Sequence, residues 1–417
     1  MRKSAHGIGW YVFWSLIAGI IAGQLIHLGV HGVTALAVIV DSMNTIASLF
    51  MRLIKMIIAP LVFTTLVVGI ARLSNPGSLG RMFLKAMVIF LIGGTIAIAV
   101  GYVVAEIFQP GLAMSKILNA SVGGLTNTMK TVSHDINLKS FINELIPVAI
   151  VDSFAKNQII QIVVFSIFMG IAGASLGKQV APVFDLLDML SKVIFRVTNY
   201  VMRFAPVAVF CSVTGMIAQN GLGLLSVYAY YLLEFYLALA ILLGIMLGVG
   251  FIVLKSELFR LIKIVSDSLG IAFSTTSSEA VLPRILEELE EFGVHPEVAG
   301  FVLPLGYSFN LIGSMINCIF ALMAIIQIYG YNFTTTQKFM MILILMVTSK
   351  GIAGVSRASL VIIATTLAAM GIGESAILVI LPIASFCDMG YTTISVLANV
   401  LAAAFVDKWE KRNSQNA

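Results

Sequence analysis

Long apolar runs alternate with short polar stretches along the chain, and the runs have the length of membrane-spanning helices. A helix needs about 20 apolar residues to cross the hydrocarbon core of a bilayer. Six such runs lie in the first part of the chain and two in the last part, at residues 8–29, 40–71, 84–108, 143–176, 184–218, 223–254, 299–329 and 375–406. The pattern predicts an all-α membrane protein with eight transmembrane helices.

Two segments rich in serine, threonine and glycine interrupt the later part of the chain. Residues 274–278 are STTSS, and residues 348–360 are TSKGIAGVSRASL. Non-helical backbone at membrane depth persists only where it is buried in protein or lines a wet cavity. Small hydroxyl side chains and glycines suit the tip of a hairpin, because they bond the freed backbone and permit a turn. We therefore predict two re-entrant helical hairpins, at residues 257–293 and 336–372.

Each predicted hairpin is followed by a span with polar residues at its centre. These centres are GYSFNLIGSMIN at residues 306–317 and FCDMGYTTISV at residues 386–396. A hairpin followed by a broken helix, repeated with the opposite entry, is typical of inverted repeats that enclose a site near the membrane midplane. The later part of the chain is therefore where we expect a binding site.

The basic residues indicate how the spans are oriented. Lysine and arginine concentrate at alternate span ends, whereas residues 30–40 and 219–222 contain neither. The positive-inside bias then predicts that both termini are cytoplasmic. With Lys408 on that side, only two full crossings fit after the sixth span. The first hairpin is therefore expected to enter from the cytoplasm and the second from outside.

Composition excludes several other classes of protein. The chain has 417 residues, of which 59% are hydrophobic and 11% are charged. Its net charge of +5 does not suggest a nucleic-acid partner, because the basic residues lie mostly at span ends. The spans contain no nucleophile–base pair and no cluster with metal-ligand spacing. We therefore predict neither an enzyme nor a bound cofactor or metal.

Five motifs together resemble one family, the dicarboxylate/amino acid:cation symporters, or glutamate transporters. They are MRLIKMIIAPLVFTTLVVGIA (51–71), SSEAVLPR (277–284), GYSFNLIGS (306–314), SKGIAGV (349–355) and DMGYTTISVLANV (388–400). The resemblance covers almost the whole chain. It implies a homotrimer in a bacterial inner membrane that moves its substrate by an elevator mechanism, with the second hairpin as the extracellular gate.

The resemblance also implies a division into two domains. A trimerisation scaffold would comprise residues 1–75 and residues 111–220, including a long extracellular connection between the third and fourth helices. A mobile transport domain would comprise residues 76–110 and residues 221–410, with both hairpins. Residues 411–417 would form a cytoplasmic tail.

The family's binding residues transfer to this sequence position by position. The implied substrate-binding residues are Ser277, Ser278, Ser314, Arg357, Ala358, Asp388, Tyr391, Thr392 and Ser395, and the implied gate residues are Gly351, Gly354, Val355 and Ser356. Asp388 matches the aspartate that receives the α-amino group of the substrate. Backbone amides of the two hairpins, with Ser314 and Ser395, would hold the α-carboxylate.

Two substitutions change how the side chain of the substrate would be recognised. Tyr391 stands where the family has an arginine that grips a carboxylate, and a phenol cannot form the bidentate charged pair. Ser395 stands where the family has an asparagine. Arg357, at the tip of the second hairpin, is a candidate replacement for the missing charge. The alternative is that Arg357 extends to the extracellular water or to lipid phosphate.

The family's sodium positions are also altered. They correspond here to Gly93, Gly94, Asn310, Ile312 and Asn399. The two glycines stand where the family has two hydroxyl residues, and Ile312 and Asn399 stand where it has carboxylates. The asparagine at position 310 is retained. An apolar side chain such as that of Ile312 cannot ligate a hard cation. We therefore expect a proton as the coupling ion, with sodium as the alternative.

Glu279, in the first hairpin, is the candidate proton carrier. A carboxylate at membrane depth is costly unless it is paired, protonated or hydrated, and so it is a functional candidate by default. The alternative is a structural role, in which Glu279 caps hairpin amides or pairs with Arg284 or Arg357.

The predicted function is therefore secondary active symport of a small amino acid, coupled to protons. Two alternatives within transport are a C4-dicarboxylate carrier that uses Arg357 and a sodium-coupled amino-acid symporter. An alternative of another class is an anion channel or a sensor on the same fold that has lost its coupling sites.

Overall fold

The computed structural model describes residues 8–30, 32–71, 78–118, 146, 148–156, 158–278, 281–349 and 358–415, and this part of the chain contains helices and no strand. The α-helices are α1 (Ile8–Gly29), α2 (Val33–Ala71), α3 (Ser78–Phe108), α4 (Pro110–Leu118), α5 (Ile150–Ala155), α6 (Ile159–Leu176), α7 (Ala181–Met202), α8 (Ala205–Asn220), α9 (Gly223–Leu254), α10 (Glu257–Thr275), α11 (Leu282–Phe292), α12 (Pro296–Phe309), α13 (Ile312–Ile328), α14 (Thr335–Thr348), α15 (Ala358–Ala369) and α16 (Ala384–Gln415). Two 3-10 helices cover Gly177–Val180 and Glu374–Val379.

Four of the described helices are long and apolar enough to cross a membrane, judged by length and composition. They cover Met82–Phe108, Gly223–Leu254, Pro296–Ile328 and Ala384–Lys411. The other apolar stretches of helix in the described part are 10–17 residues long, and two of them, Thr34–Phe50 and Ala59–Val68, lie within α2. The all-α class is confirmed, whereas the number of eight spans stays a prediction.

Several predicted spans differ in detail from the helices. The run 143–176 contains two helices, α5 and α6, and the run 184–218 contains α7 and α8. Pro206 lies in the first turn of α8, where a proline is tolerated because that turn needs no amide hydrogen. The second helix begins at Val33 and not at residue 40, because residues 33–40 are apolar except for Thr34 and contain no helix breaker.

The last run also differs from its prediction. The segment 375–383 is not part of a long α-helix, because it holds a 3-10 helix before α16 begins at Ala384. At the other end, α16 continues to Gln415, so most of the predicted tail is helical. Lys411 bonds the carbonyl of Gly293 at 2.8 Å and the side chain of Asp407 one turn earlier at 2.7 Å, and both contacts hold this end of the helix in place.

The described helices contact one another in two groups. In the first group α1 lies along α8, with His27 Nδ1 at 2.9 Å from the carbonyl oxygen of Ala218, and α2 packs against α6, α7 and α8. In the second group α13 packs against α3, α4, α15 and α16, while α10, α11 and α12 also contact their neighbours there.

Helix α13 is the centre of the second group. All of its residues are buried except Gln327, so protein and not lipid surrounds this apolar helix. Gln327 anchors its end, since it accepts a hydrogen bond from the Gly111 amide at 2.9 Å and donates one to the Ala105 carbonyl at 3.0 Å. The start of α13, at Ile312 and Gly313, is also buried inside the group, where the candidate site lies.

Both predicted hairpins correspond to two helices joined by a short connection. The first consists of α10 and α11, and Thr276 after α10 has the left-handed backbone conformation, with φ at 53°. The second consists of α14 and α15. That these pairs enter and leave the membrane on one side stays a prediction.

Candidate functional site

One face of α16 carries four of the nine predicted substrate-binding residues and one of the altered cation positions. Asp388, Tyr391, Thr392, Ser395 and Asn399 are spaced by three or four residues, which places them along one side of an α-helix. All five are buried, with Asp388 only 2% exposed. The helix therefore presents a polar stripe to the protein interior, between α13 and α15.

Asp388 accepts a hydrogen bond from a hydroxyl group one turn further along the helix. The Thr392 hydroxyl donates to its carboxylate at 3.1 Å. The Tyr391 hydroxyl lies 3.0 Å from the hydroxyl of Ser359. A buried carboxylate of this kind can accept hydrogen bonds from a protonated amine, and each bond to a charged group is worth more than a neutral one.

The start of α13 lies directly against this stripe. Helix α12 ends at Phe309, Asn310 and Leu311 are not helical, and α13 begins at Ile312. The Gly313 amide donates to the Ser395 hydroxyl at 3.1 Å, which leaves the hydroxyl hydrogen of Ser395 able to donate to an anion. Ser314, in the first turn of α13, is buried.

Ionic contacts and hydrogen bonds between α10 and α11 stabilise the first hairpin next to its turn. Arg284 donates to Asp267 at 3.0 Å and to Glu288 at 2.9 Å, and Glu288 also accepts from the Ser268 hydroxyl at 2.8 Å. Ser278, at the turn, is 5% exposed. Arg284 thus has two carboxylate partners within the hairpin.

Several predicted residues lie outside the described part of the chain. They are Glu279, Gly351, Gly354, Val355, Ser356 and Arg357. Ala358 is the first residue of α15, and the next residue, Ser359, is the one that contacts Tyr391. The second arm of the second hairpin therefore begins beside the polar stripe.

The altered cation positions are filled by the protein itself. Ile312 is 5% exposed, and a Cβ atom placed on Gly93 would lie 2.5 Å from Ile312 Cδ1. The isoleucine therefore occupies the space next to Gly93, and Gly94 is buried in the same helix, α3. Asn310 and Asn399 are each 1% exposed and bond each other at 2.7 Å.

Sequence reasoning missed one acidic residue, Glu234 in α9. Its Oε2 atom is buried and has no hydrogen-bond partner among the described residues. A signal was present in the sequence, because residues 223–254 form an apolar run with a single acid. An ionisable residue inside such a run is a functional candidate by default.

Ionic contacts hold the far end of α16. Lys85 of α3 bonds Glu410 at 2.8 Å. Asp407, which is 4% exposed, lies 2.6 Å from His295 Nδ1 and 2.7 Å from Lys411. These contacts join α3, α12 and α16 at one end of the second group of helices.

Comparison with known proteins identifies the family. The model of the sodium:dicarboxylate symporter family matches residues 8–409. The chain belongs to this family. The resemblance inferred from the five motifs is thereby confirmed, and the protein is a cation-coupled symporter and a multi-pass membrane protein.

The family includes relatives with different substrates in their names. The chain is 36% identical over 412 residues to the proton/sodium-glutamate symport protein of Geobacillus stearothermophilus, covering 98% of this chain and 96% of that one. It is 34% identical over 416 residues to the proton/glutamate-aspartate symporter of Escherichia coli (strain K12), covering 99% and 95%. It is also 34% identical over 379 residues to the C4-dicarboxylate transport protein of Acidovorax ebreus, covering 88% and 82%. The family therefore leaves both the substrate and the ion to be argued from the site.

Proposed function

We propose that this symporter carries a small amino acid across the bacterial inner membrane and that protons drive it. The observation that carries the proposal is Asp388, a buried carboxylate bonded by the Thr392 hydroxyl. A carboxylate in that position attracts an amino group and repels a plain dicarboxylate. The names of relatives that transport glutamate or aspartate support the same substrate class.

Each side chain of the site then has a proposed role. Asp388 binds the amino group, with Thr392 beside it. Tyr391 and Arg357 contact the substrate side chain. Backbone amides and hydroxyls hold the α-carboxylate, and these belong to Ser277, Ser278, Ser314, Ala358 and Ser395.

A C4-dicarboxylate is the second candidate substrate, because one relative carries that name. For such a substrate Arg357 would supply the positive charge, and Asp388 would have to be protonated or paired. A channel or a sensor that has lost coupling is the remaining alternative, and it predicts binding or conductance without accumulation.

Two acids are proposed as proton acceptors. Glu279 belongs to the segment predicted as the tip of the first hairpin, and Glu234 lies in α9 with a buried oxygen that has no hydrogen-bond partner among the described residues. A carboxylate that is poorly hydrated takes up a proton more readily than one in water. Either residue can therefore bind the coupling proton on one side of the membrane and release it on the other.

The proposed movement is that of an elevator in a homotrimer, with both termini in the cytoplasm. The two groups of contacting helices support it, because α1, α2 and α6–α8 correspond to the predicted scaffold and α3 with α9–α16 to the predicted transport domain. Helix α4 differs, because it packs with the second group although residues 111–118 fall in the predicted scaffold range. The second hairpin would close over the bound substrate with Gly351, Gly354, Val355 and Ser356.

Uptake into proteoliposomes tests the proposal. The purified protein is reconstituted in sodium-free buffer with an alkaline interior, and labelled aspartate, glutamate, serine, cystine and succinate are offered in turn. We expect accumulation of an amino acid that collapses when a protonophore is added. Accumulation of succinate alone would refute the substrate class, and accumulation only after sodium is added would refute proton coupling.

A further inference from the structure

The break between α12 and α13 is tied to α16 by two amide side chains. Asn310 Nδ2 donates to Asn399 Oδ1 at 2.7 Å, and both residues are 1% exposed. The residues are 89 positions apart in the chain. Asn310 lies within the non-helical part of the break, so this bond fixes the place where the interrupted helix has lost its own backbone support.

The backbone at Gly306 leaves just enough space for the Asn310–Asn399 pair. A Cβ atom placed on Gly306 would lie 2.4 Å from Asn399 Oδ1 and 2.7 Å from its Cγ atom. Gly306 also accepts a backbone hydrogen bond from Asn310 at 2.7 Å. A side chain at residue 306 would therefore displace the Asn399 amide, and the close approach requires glycine.

This arrangement does not fit a sodium ion. A hard cation needs several oxygen ligands directed at one point. Here the Asn399 oxygen already accepts an N–H group of Asn310, and the pair offers a cation neutral amide oxygens but no carboxylate. Ile312, two residues further along, offers only apolar atoms.

We propose that the Asn310–Asn399 bond is a neutral clamp that assembles the binding face without a cation at this position. Asn399 lies on the same face of α16 as Asp388 and Ser395, so a fixed Asn399 also fixes where that face meets the start of α13. The bond leaves Asn310 Oδ1 and Asn399 Nδ2 without partners among the described residues. Losing either amide leaves the other side chain buried with no hydrogen-bond partner in the part of the chain that the structure describes, which is the costly case. The clamp goes beyond the proposed function, since it holds for either substrate class.

Thermal unfolding of the purified full-length protein tests the clamp without any transport assay. Unfolding is measured in sodium chloride and in choline chloride at equal ionic strength. We expect no difference for the wild type. Asn399→Asp should unfold at a lower temperature in choline and recover in sodium, because a carboxylate and the Asn310 oxygen together can ligate the cation. Asn317→Asp, which buries an acid elsewhere in α13, should not respond to sodium.

A double-mutant cycle tests the bond itself. Asn310→Ala and Asn399→Ala should each lower the melting temperature by roughly 2–4 °C, and the double variant should lower it by about as much as one of them. Asn399→Ser is the second variant if Asn399→Ala cannot be purified. Additive losses would refute the clamp, as would a wild type that sodium stabilises. If the double-mutant cycle gives the expected coupling but the protein does not accumulate any substrate in proteoliposomes, only the proposed function is refuted.

Discussion

Replacing Asp388 with asparagine should separate the two substrate classes. Asp388→Asn keeps the shape of the side chain and its acceptor for Thr392, but it removes the negative charge from a residue that is only 2% exposed. An amino group bound there would lose a charge-assisted hydrogen bond. A dicarboxylate would lose a repulsive neighbour.

The size of the effect follows from the burial of this residue. A hydrogen bond to a charged group contributes about 1.5–3 kcal/mol, and about 1.4 kcal/mol corresponds to a tenfold change in affinity. Water has little access to Asp388 and cannot replace the lost interaction. We therefore expect the affinity for aspartate to fall about 10- to 150-fold.

Equilibrium binding of labelled aspartate to the purified protein measures this change, with succinate as competitor. Asp407→Asn is the matched control, because it makes the same substitution at a buried position about 28 Å further along α16. The control should keep its affinity for aspartate even if its stability falls.

Two results would refute the reasoning. Unchanged affinity of Asp388→Asn for aspartate would show that the carboxylate does not bind the amino group. Weak aspartate binding in the wild type, together with tighter succinate binding in the variant, would assign the protein to the dicarboxylate carriers.

Three further predictions follow from other parts of the structure. Gly93→Val should lower the free energy of unfolding by about 1–3 kcal/mol in denaturation experiments, because the new side chain overpacks against Ile312. Ile312→Ala in the same chain should recover part of this loss, and an unchanged stability of Gly93→Val would contradict the packing. Asp407→Ala should destabilise the protein by about 1–3 kcal/mol, since it removes a buried acceptor of several bonds; an unchanged melting temperature would show that the contact is weak. Glu279→Gln and Glu234→Gln should identify the proton acceptor, because the variant that lacks the acceptor should lose proton-driven accumulation but keep substrate exchange. Proton-driven accumulation by both variants would rule out both acids.

Much of the fold followed from local patterns. The apolar runs identified an all-α membrane protein, since only helices satisfy the backbone of such runs in lipid. The polar centre at residues 306–317 marked the span that the structure interrupts at Asn310. The shared face of α16 on which Asp388 and its neighbours lie follows from their spacing of three or four residues, because helical periodicity depends on sequence alone. The runs 143–176 and 184–218 were predicted as single spans, because hydrophobicity does not reveal short breaks between apolar helices.

The contacts that define the site required the tertiary structure. A sequence shows that Asn310, Ile312 and Asn399 cannot reproduce a carboxylate-lined cation site, but it does not show what they form instead. The amide bond between Asn310 and Asn399 joins two helices that meet only after folding, and Ile312 fills a space left by Gly93 in a third helix. Glu234 was visible in the sequence as the single acid of an apolar run, but the sequence did not show that one of its oxygens is buried without a partner among the described residues. Composition and periodicity act within one segment and therefore determine the helices, whereas hydrogen-bond partners and close packing depend on which distant segments the fold brings together.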